Sequence, residues 1–238
     1  MNVFHLTDIE LQALHLSLSV SLRSLVFSLP IAVAAAWVLT RKRFPGRMLL
    51  DTAVHLPLVL PPVVTGYLLL LLFGARGPIG KWLLDTFDIR LAFTRNGAAL
   101  ATAVMAFPLM VRAIRIALDN VDRGLEDAAR TLGAGAWDRF FTITLPLMMP
   151  GILAGAITAF SAGLGEFGAV ITFAGNVPGE TRTLPLALYS ALEKPDGDAM
   201  AARLAGISLT LGIAGLLLSE WLARRLRAYL GHSGREIR

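Results

Sequence analysis

Cysteine is absent from the 238 residues, which removes disulfides, thiol catalysis and thiolate metal sites together. Charge is scarce as well. Asp, Glu, Lys and Arg make up 16% of the chain, against roughly a quarter in soluble domains. Residues 1–11 hold Asp8 and Glu10 but no Lys or Arg. A cleaved signal peptide needs positive charge ahead of its apolar stretch, so the run "AVAAAW" is not read as a cleavage site. Arg41, Lys42 and Arg43 follow that block instead, the pattern of a retained span with its N-terminus outside. The four histidines, His5, His15, His55 and His232, are scattered without HExxH or comparable spacing, so a membrane-embedded enzyme ranks last among function classes. No residue is assigned a catalytic or metal-ligating role, and nothing resembles a basic helix for nucleic acid.

What the chain does have is apolar length. Hydrophobic residues make up 55% and the mean hydropathy is +0.64. A hydrocarbon core of about 30 Å takes about 20 apolar residues as helix. Five blocks qualify, near 12–39, 49–73, 95–118, 147–173 and 201–223. The expectation is one all-α integral membrane domain over 1–238, a kinked transmembrane bundle in the cell membrane. "LPLALYSAL" near 184–192 is too short to span. With the N-terminus outside, the inner segments carry Arg41, Lys42, Arg43 and Arg47, then Arg112, Arg115, Arg123, Arg130 and Arg139, then Arg224, Arg225, Arg227, Arg235 and Arg238. The outer loops carry Arg76, Lys81, Arg90, Arg95, Arg182 and Lys194. Fourteen against six favours N-out, C-in.

The spans are not plain anchors. Pro30, Pro57, Pro61, Pro62 and Pro108 predict kinks, and Gly151 with Gly155 forms a GxxxG pair that permits close helix contact. Ser17, Ser21, Ser24 and Ser28 share one helical stripe, as packing hydroxyls or as a solute path. Glu166 is an acid deep in a predicted span, which calls for a partner. It lies 20 residues beyond Pro146, roughly 30 Å along a helix, so pairing with Arg182 or Arg203 near the outer face is expected. Arg23 reads as an outer-surface anchor reached by snorkelling.

Between the third and fourth blocks, 119–146 is charged yet carries apolar clusters at helical spacing. Asp122 to Thr131 reads as a short helix with Glu126 and Arg130 paired at i, i+4. Gly133 and Gly135 break it, and Trp137 to Ile143 begin a second element ending at Pro146. Such a knob has too little core to stand alone, so a partner's groove is expected to cover it.

Here the residues resemble a family. Asp127-Ala128-Ala129, then Gly133, then Ile143, then Leu145-Pro146 looks like the EAA motif of ABC importer permeases, with Asp in place of Glu and Glu126 next door. "HLPLVLPPVVTGYLLL", "AVMAFPLMVRAIRIAL" and "GLGEFGAVITFAGNVPGETRTLPLALY" extend the resemblance to molybdate permease subunits over nearly the whole chain. The resemblance implies a type I importer fold with a cytoplasmic coupling helix built from Glu126, Asp127, Ala128, Ala129, Gly133, Ile143, Leu145 and Pro146. It implies a homodimer with two ABC ATPase subunits and a periplasmic oxyanion-binding protein, in the inner membrane. No cofactor is expected in this chain; ATP and magnesium would be bound by the partner ATPase. "GARGPIGKW" lacks the first Gly and the Ser/Thr of a phosphate loop, having Ala75 and Trp82 there. Thr65, Thr158, Ser161 and Glu166 are candidates for the translocation path or gate, and Glu180 and Arg182 for contact with the binding protein. Sulfate, thiosulfate and tungstate remain alternative substrates. A secondary transporter or channel using Glu166 is the alternative of another class, although no internal repeat supports it.

Overall fold

The structure, a computed structural model, describes residues 6–232; His5, Arg235 and Arg238 lie outside the described residues. All regular elements among them are helical. Helix α1 (Asp8–Arg41) is followed by α2 (Arg47–Val59), α3 (Pro62–Phe73), α4 (Pro78–Phe87) and α5 (Arg95–Asp119). Then come α6 (Arg123–Thr131), α7 (Ala136–Arg139), a π-helical turn (Phe140–Thr144), α8 (Leu145–Leu164), α9 (Gly168–Phe173), α10 (Leu184–Leu192) and α11 (Asp198–His232). Four of these units, Asp8–Arg41, Arg95–Asp119, Ala136–Leu164 and Asp198–Leu222, are long and apolar enough to cross a membrane. A fifth is available if α3 and α4, bent by 47°, count as one broken span.

Local chemistry sets the helix ends. Thr7 begins α1 through a capping box, its hydroxyl accepting from Glu10 N while the Glu10 carboxylate accepts from Thr7 N at 2.7 Å. Thr94 starts α5 by accepting from Gly97 N at 3.1 Å. The long helices α1 and α5 run through Pro30 and Pro108 without interruption. Adjacent prolines do what single ones do not: the block expected over 49–73 breaks at Leu60–Pro61 and continues as α3, because consecutive prolines remove consecutive donors and push the preceding residue out of the helical region. A second correction concerns 147–173, which ends at Leu164 and resumes as the short α9 after Gly165–Phe167. The element expected to stop at Pro146 instead runs on. Pro146 has no N–H for the carbonyl four residues back, and the turn before it opens, with Leu145 N donating to Phe140 O five residues away.

Three crossings form the centre of the bundle: α1, α5 and α8, each packed on the other two. Their contact surfaces are small. Ala32, Ala36, Ala98, Ala101 and Ala106 are buried there, and Gly151 and Gly155 lie against Ala117, Ala113 and Met110 of α5. The glycine pair therefore does what its spacing promised. The serine stripe is likewise buried and serves packing. Ser17 Oγ accepts from Leu184 N at 2.6 Å and so starts α10, Ser28 Oγ donates to Ser24 O at 2.6 Å, and Ser21 faces Gly163 of α8. Helix α11 covers α8 and α10, while α3 packs on α9.

Side-chain bonds fix the direction of the crossings. At the end holding the N-terminus, Arg203 of α11 donates to the fully buried Glu10 at 2.8 Å, and Arg23 donates to Asn96 at 2.8 Å. Arg203 is thus engaged by Glu10, and Arg23 is half-buried and held by a neighbouring helix. At the other end Arg41 reaches Leu118 O at 3.5 Å, and Arg115 of α5 pairs with Asp51 of α2 at 2.6 Å. The charge asymmetry of the sequence assigns that second end to the cytoplasm.

Adding one methyl group at Gly151 drives it into the Ala117 Cβ. Gly151→Ala is expected to destabilise the bundle by about 1–3 kcal/mol, and adding Ala117→Gly recovers most of the loss. Thermal unfolding of the purified protein in detergent, single variant against double, checks this.

Candidate functional site

The segment joining α5 to α8 carries the most distinctive surface. Asp122 caps α6, its carboxylate accepting from Gly124 N at 2.8 Å. None of the residues of α6 is buried. Gly133 follows at φ +88°, and a Cβ placed there would meet nothing within 4 Å, so its requirement is conformational rather than steric. Arg139 donates to Ala134 O at 2.8 Å and stiffens the corner between α6 and α7.

Large apolar side chains stand in the open here. Leu132 is 88% exposed and Trp137 76%, with Leu125 and Phe141 about half exposed. Trp137 stacks on Phe141 at 6.1 Å between ring centroids, and Phe140 meets Phe141 edge-on at 5.2 Å. Charges flank this patch, which distinguishes it from the apolar surface of the crossings. Exposed aromatic and aliphatic anchors rimmed by charge are what a docked partner covers.

The residues of the EAA-like motif divide by direction. Asp127, Ala128, Gly133 and Pro146 are exposed; Ala129, Ile143 and Leu145 are half-buried. Asp127 pairs with Arg130 at 3.2 Å, both largely exposed. The i, i+4 pair expected between Glu126 and Arg130 does not form. Glu126 turns inward and accepts from Arg41 of α1 at 3.1 Å and from Thr144 at 2.7 Å. A cleft of about 540 Å³ opens beside these groups, lined by Trp37, Lys42, Arg123 and Arg139 among others. Lys42 lies over the Trp37 ring at 5.0 Å.

The other candidates lie elsewhere and do not converge. Thr65 is buried on α3 with its hydroxyl unpartnered, Thr158 is exposed on α8, and Ser161 faces Gly215 of α11. Glu166 sits in the break between α8 and α9 and accepts from Ala169 N at 2.8 Å, capping the second helix. Its expected pairing with Arg182 or Arg203 is not formed. Arg182 donates instead to Asn176, to the side chain at 2.8 Å and to the carbonyl at 3.3 Å. Asn176 in turn donates to Ser190 at 2.8 Å, and Glu180 is exposed at the tip of the same loop. Sequence reasoning missed Arg41 and Thr144 as parts of the elbow.

A profile of the family described as "Binding-protein-dependent transport system inner membrane component" matches residues 28–228. The chain belongs to this family. It is an inner-membrane permease component. It is 59% identical over 226 residues to the molybdenum transport system permease protein ModB of Escherichia coli K12, covering 95% of this chain and 99% of that one. The Haemophilus influenzae ModB is 53% identical over 222 residues, 93% and 97% of the two chains. The sulfate transport system permease protein CysT of E. coli K12 is more distant, at 38% over 208 residues, 87% and 74%. Among solved structures, a bacterial ABC transporter that imports the polysaccharide alginate superposes with a TM-score of 0.72. It is 18% identical and covers 92% of this chain and 80% of that one, which extends the permease fold and nothing further.

Any residue with a side chain is strained at the Gly133 corner, at a cost of about 1–2 kcal/mol. Gly133→Val is expected to leave the amount of permease in the membrane unchanged and to lower substrate uptake several-fold. Immunoblots of membranes alongside uptake assays check both halves.

Proposed function

We propose that this permease forms the translocation path of a molybdate importer. As a homodimer it would work with two ATPase subunits and receive the anion from a periplasmic binding protein. The observation that carries the mechanism is the exposed elbow: Leu132, Trp137 and Phe141 offer anchors, and Asp127 offers an outward carboxylate beside them. The substrate rests on the near full-length identity to two ModB proteins, well above that to the sulfate permease.

In this reading the chain does no chemistry. ATP closing the ATPase pair draws the two docked elbows together. Each elbow is continuous with α8 through the π-helical turn, so its displacement is delivered directly to a crossing at the centre of the bundle. The crossings tilt as rigid bodies and the path changes from inward-facing to outward-facing. The breaks at Leu60–Pro61 and Gly165–Phe167 lie close together, since Gly168 packs on Pro62 and Gly66 on Ala169. They lie at the adjoining ends of two crossings, α3 and α8, and mark where the chain turns into and out of them. Thr65, Thr158, Ser161 and Glu166 remain proposed path or gate residues, and Glu180 with Arg182 proposed contacts for the binding protein. The substrate itself would be held weakly here, with tight binding left to the binding protein.

Radiolabelled molybdate uptake in cells expressing the permease with its ATPase and binding protein tests this. Uptake is expected to vanish without the ATPase, to be suppressed by excess tungstate and to resist equimolar sulfate. Uptake that persists without any ATPase subunit would favour a secondary transporter using Glu166. Uptake abolished by equimolar sulfate would move the substrate to sulfate.

A further inference from the structure

We propose that Glu126 is a positioning residue that ties the elbow to the bundle, rather than a contact with the ATPase. The inference rests on the importer reading above and assigns the two neighbouring acids opposite jobs. Successive residues on a helix point about 100° apart, and Glu126 and Asp127 accordingly face different surroundings. Asp127 has a side chain 63% exposed and, among the described residues, is joined only to its helix neighbour Arg130. Glu126 is 24% exposed and Arg41, its ion partner, 11%.

Two crossings meet on this one carboxylate, and a third is joined to it through Arg41. The same Glu126 oxygen accepts from Arg41 Nη2 at 3.1 Å, at the end of α1, and from Thr144 Oγ1 at 2.7 Å, in the π-helical turn that opens α8. Arg41 Nη2 also reaches Leu118 O at 3.5 Å, at the end of α5. With no residue of α6 buried, packing does little to hold the helix against the bundle. Charge-assisted hydrogen bonds are left to do so, and they are stronger than neutral ones. A push on α6 therefore reaches α1 and α8 through Glu126. Without it, α6 would swing on the glycine corner and the push would be lost in the loop.

The test uses the whole complex in proteoliposomes, with the ATPase subunits and a molybdate-loaded binding protein. Two quantities are read: ATPase subunits retained per permease, and ATP hydrolysed per molybdate imported. Glu126→Gln is expected to retain the ATPase subunits at the wild-type ratio while raising ATP hydrolysed per molybdate about tenfold, within the usual range of coupling between sites. Asp127→Asn is expected to lose ATPase subunits instead. Thr144→Val removes one bond to the same carboxylate without touching any charge, and is expected to raise the ratio about threefold, the scale of one modest hydrogen bond. If Glu126→Gln sheds the ATPase as Asp127→Asn does, or if both Glu126→Gln and Thr144→Val keep the wild-type ratio, the assignment is wrong. A wild-type permease that purifies without any ATPase would overturn the importer reading itself, and the inference with it.

Discussion

Lipid is as apolar as leucine, so crossings in a membrane gain nothing by hiding hydrophobic surface from it, and close backbone approach must hold them together. The rest of this structure follows from that constraint. Alanine and glycine line the contact between α1, α5 and α8, while leucines, valines and phenylalanines point outward in numbers that water would not tolerate. Two buried hydroxyls of α1 bond to backbone, Ser17 to Leu184 and Ser28 to Ser24.

The same constraint pushes charge to the ends of the crossings and pairs it there. Glu10 with Arg203 fastens one end of the bundle; Arg41 with Glu126 and Arg115 with Asp51 fasten the other. Each pair joins different helices. The middle of the bundle is thus set by close small-residue packing and its ends by ion pairs between helices. At the end holding Arg41 the ties extend to the elbow, so the exposed apolar surface and the crossings form one connected piece.

Much of this is legible in the sequence, and the reasons are physical. The elbow stands out because its charges forbid lipid and its apolar residues forbid plain solvation. Gly151 and Gly155 announce a helix contact by spacing alone. Other features are hidden. Gly165–Phe167 lies inside an apolar stretch interrupted by charge only at Glu166, and an average hydropathy over that stretch does not separate one long helix from two successive ones. Spacing pairs Glu126 with Arg130, four residues along its own helix, because local neighbours are all a sequence displays. Its actual partner Arg41 is 85 residues away in the chain, and Glu10 finds Arg203 across 193. Such pairs depend on how the helices come together. Thr65, Thr158 and Ser161 qualify as path candidates by their hydroxyls in predicted spans, a criterion that says nothing about which neighbour each one faces.

The central claim is that the apolar elbow lies in the cytoplasm and is covered by a nucleotide-hydrolysing partner. Because the chain has no cysteine, Leu132→Cys creates a single thiol at its most exposed point. Labelling with a membrane-impermeant maleimide, applied in turn to spheroplasts and to inverted vesicles, measures both sidedness and cover. The account predicts no labelling from outside, rapid labelling from the cytoplasmic side when the permease is expressed alone, and strong protection once the ATPase subunit is co-expressed. Labelling from outside, or equal labelling with and without that subunit, would contradict it.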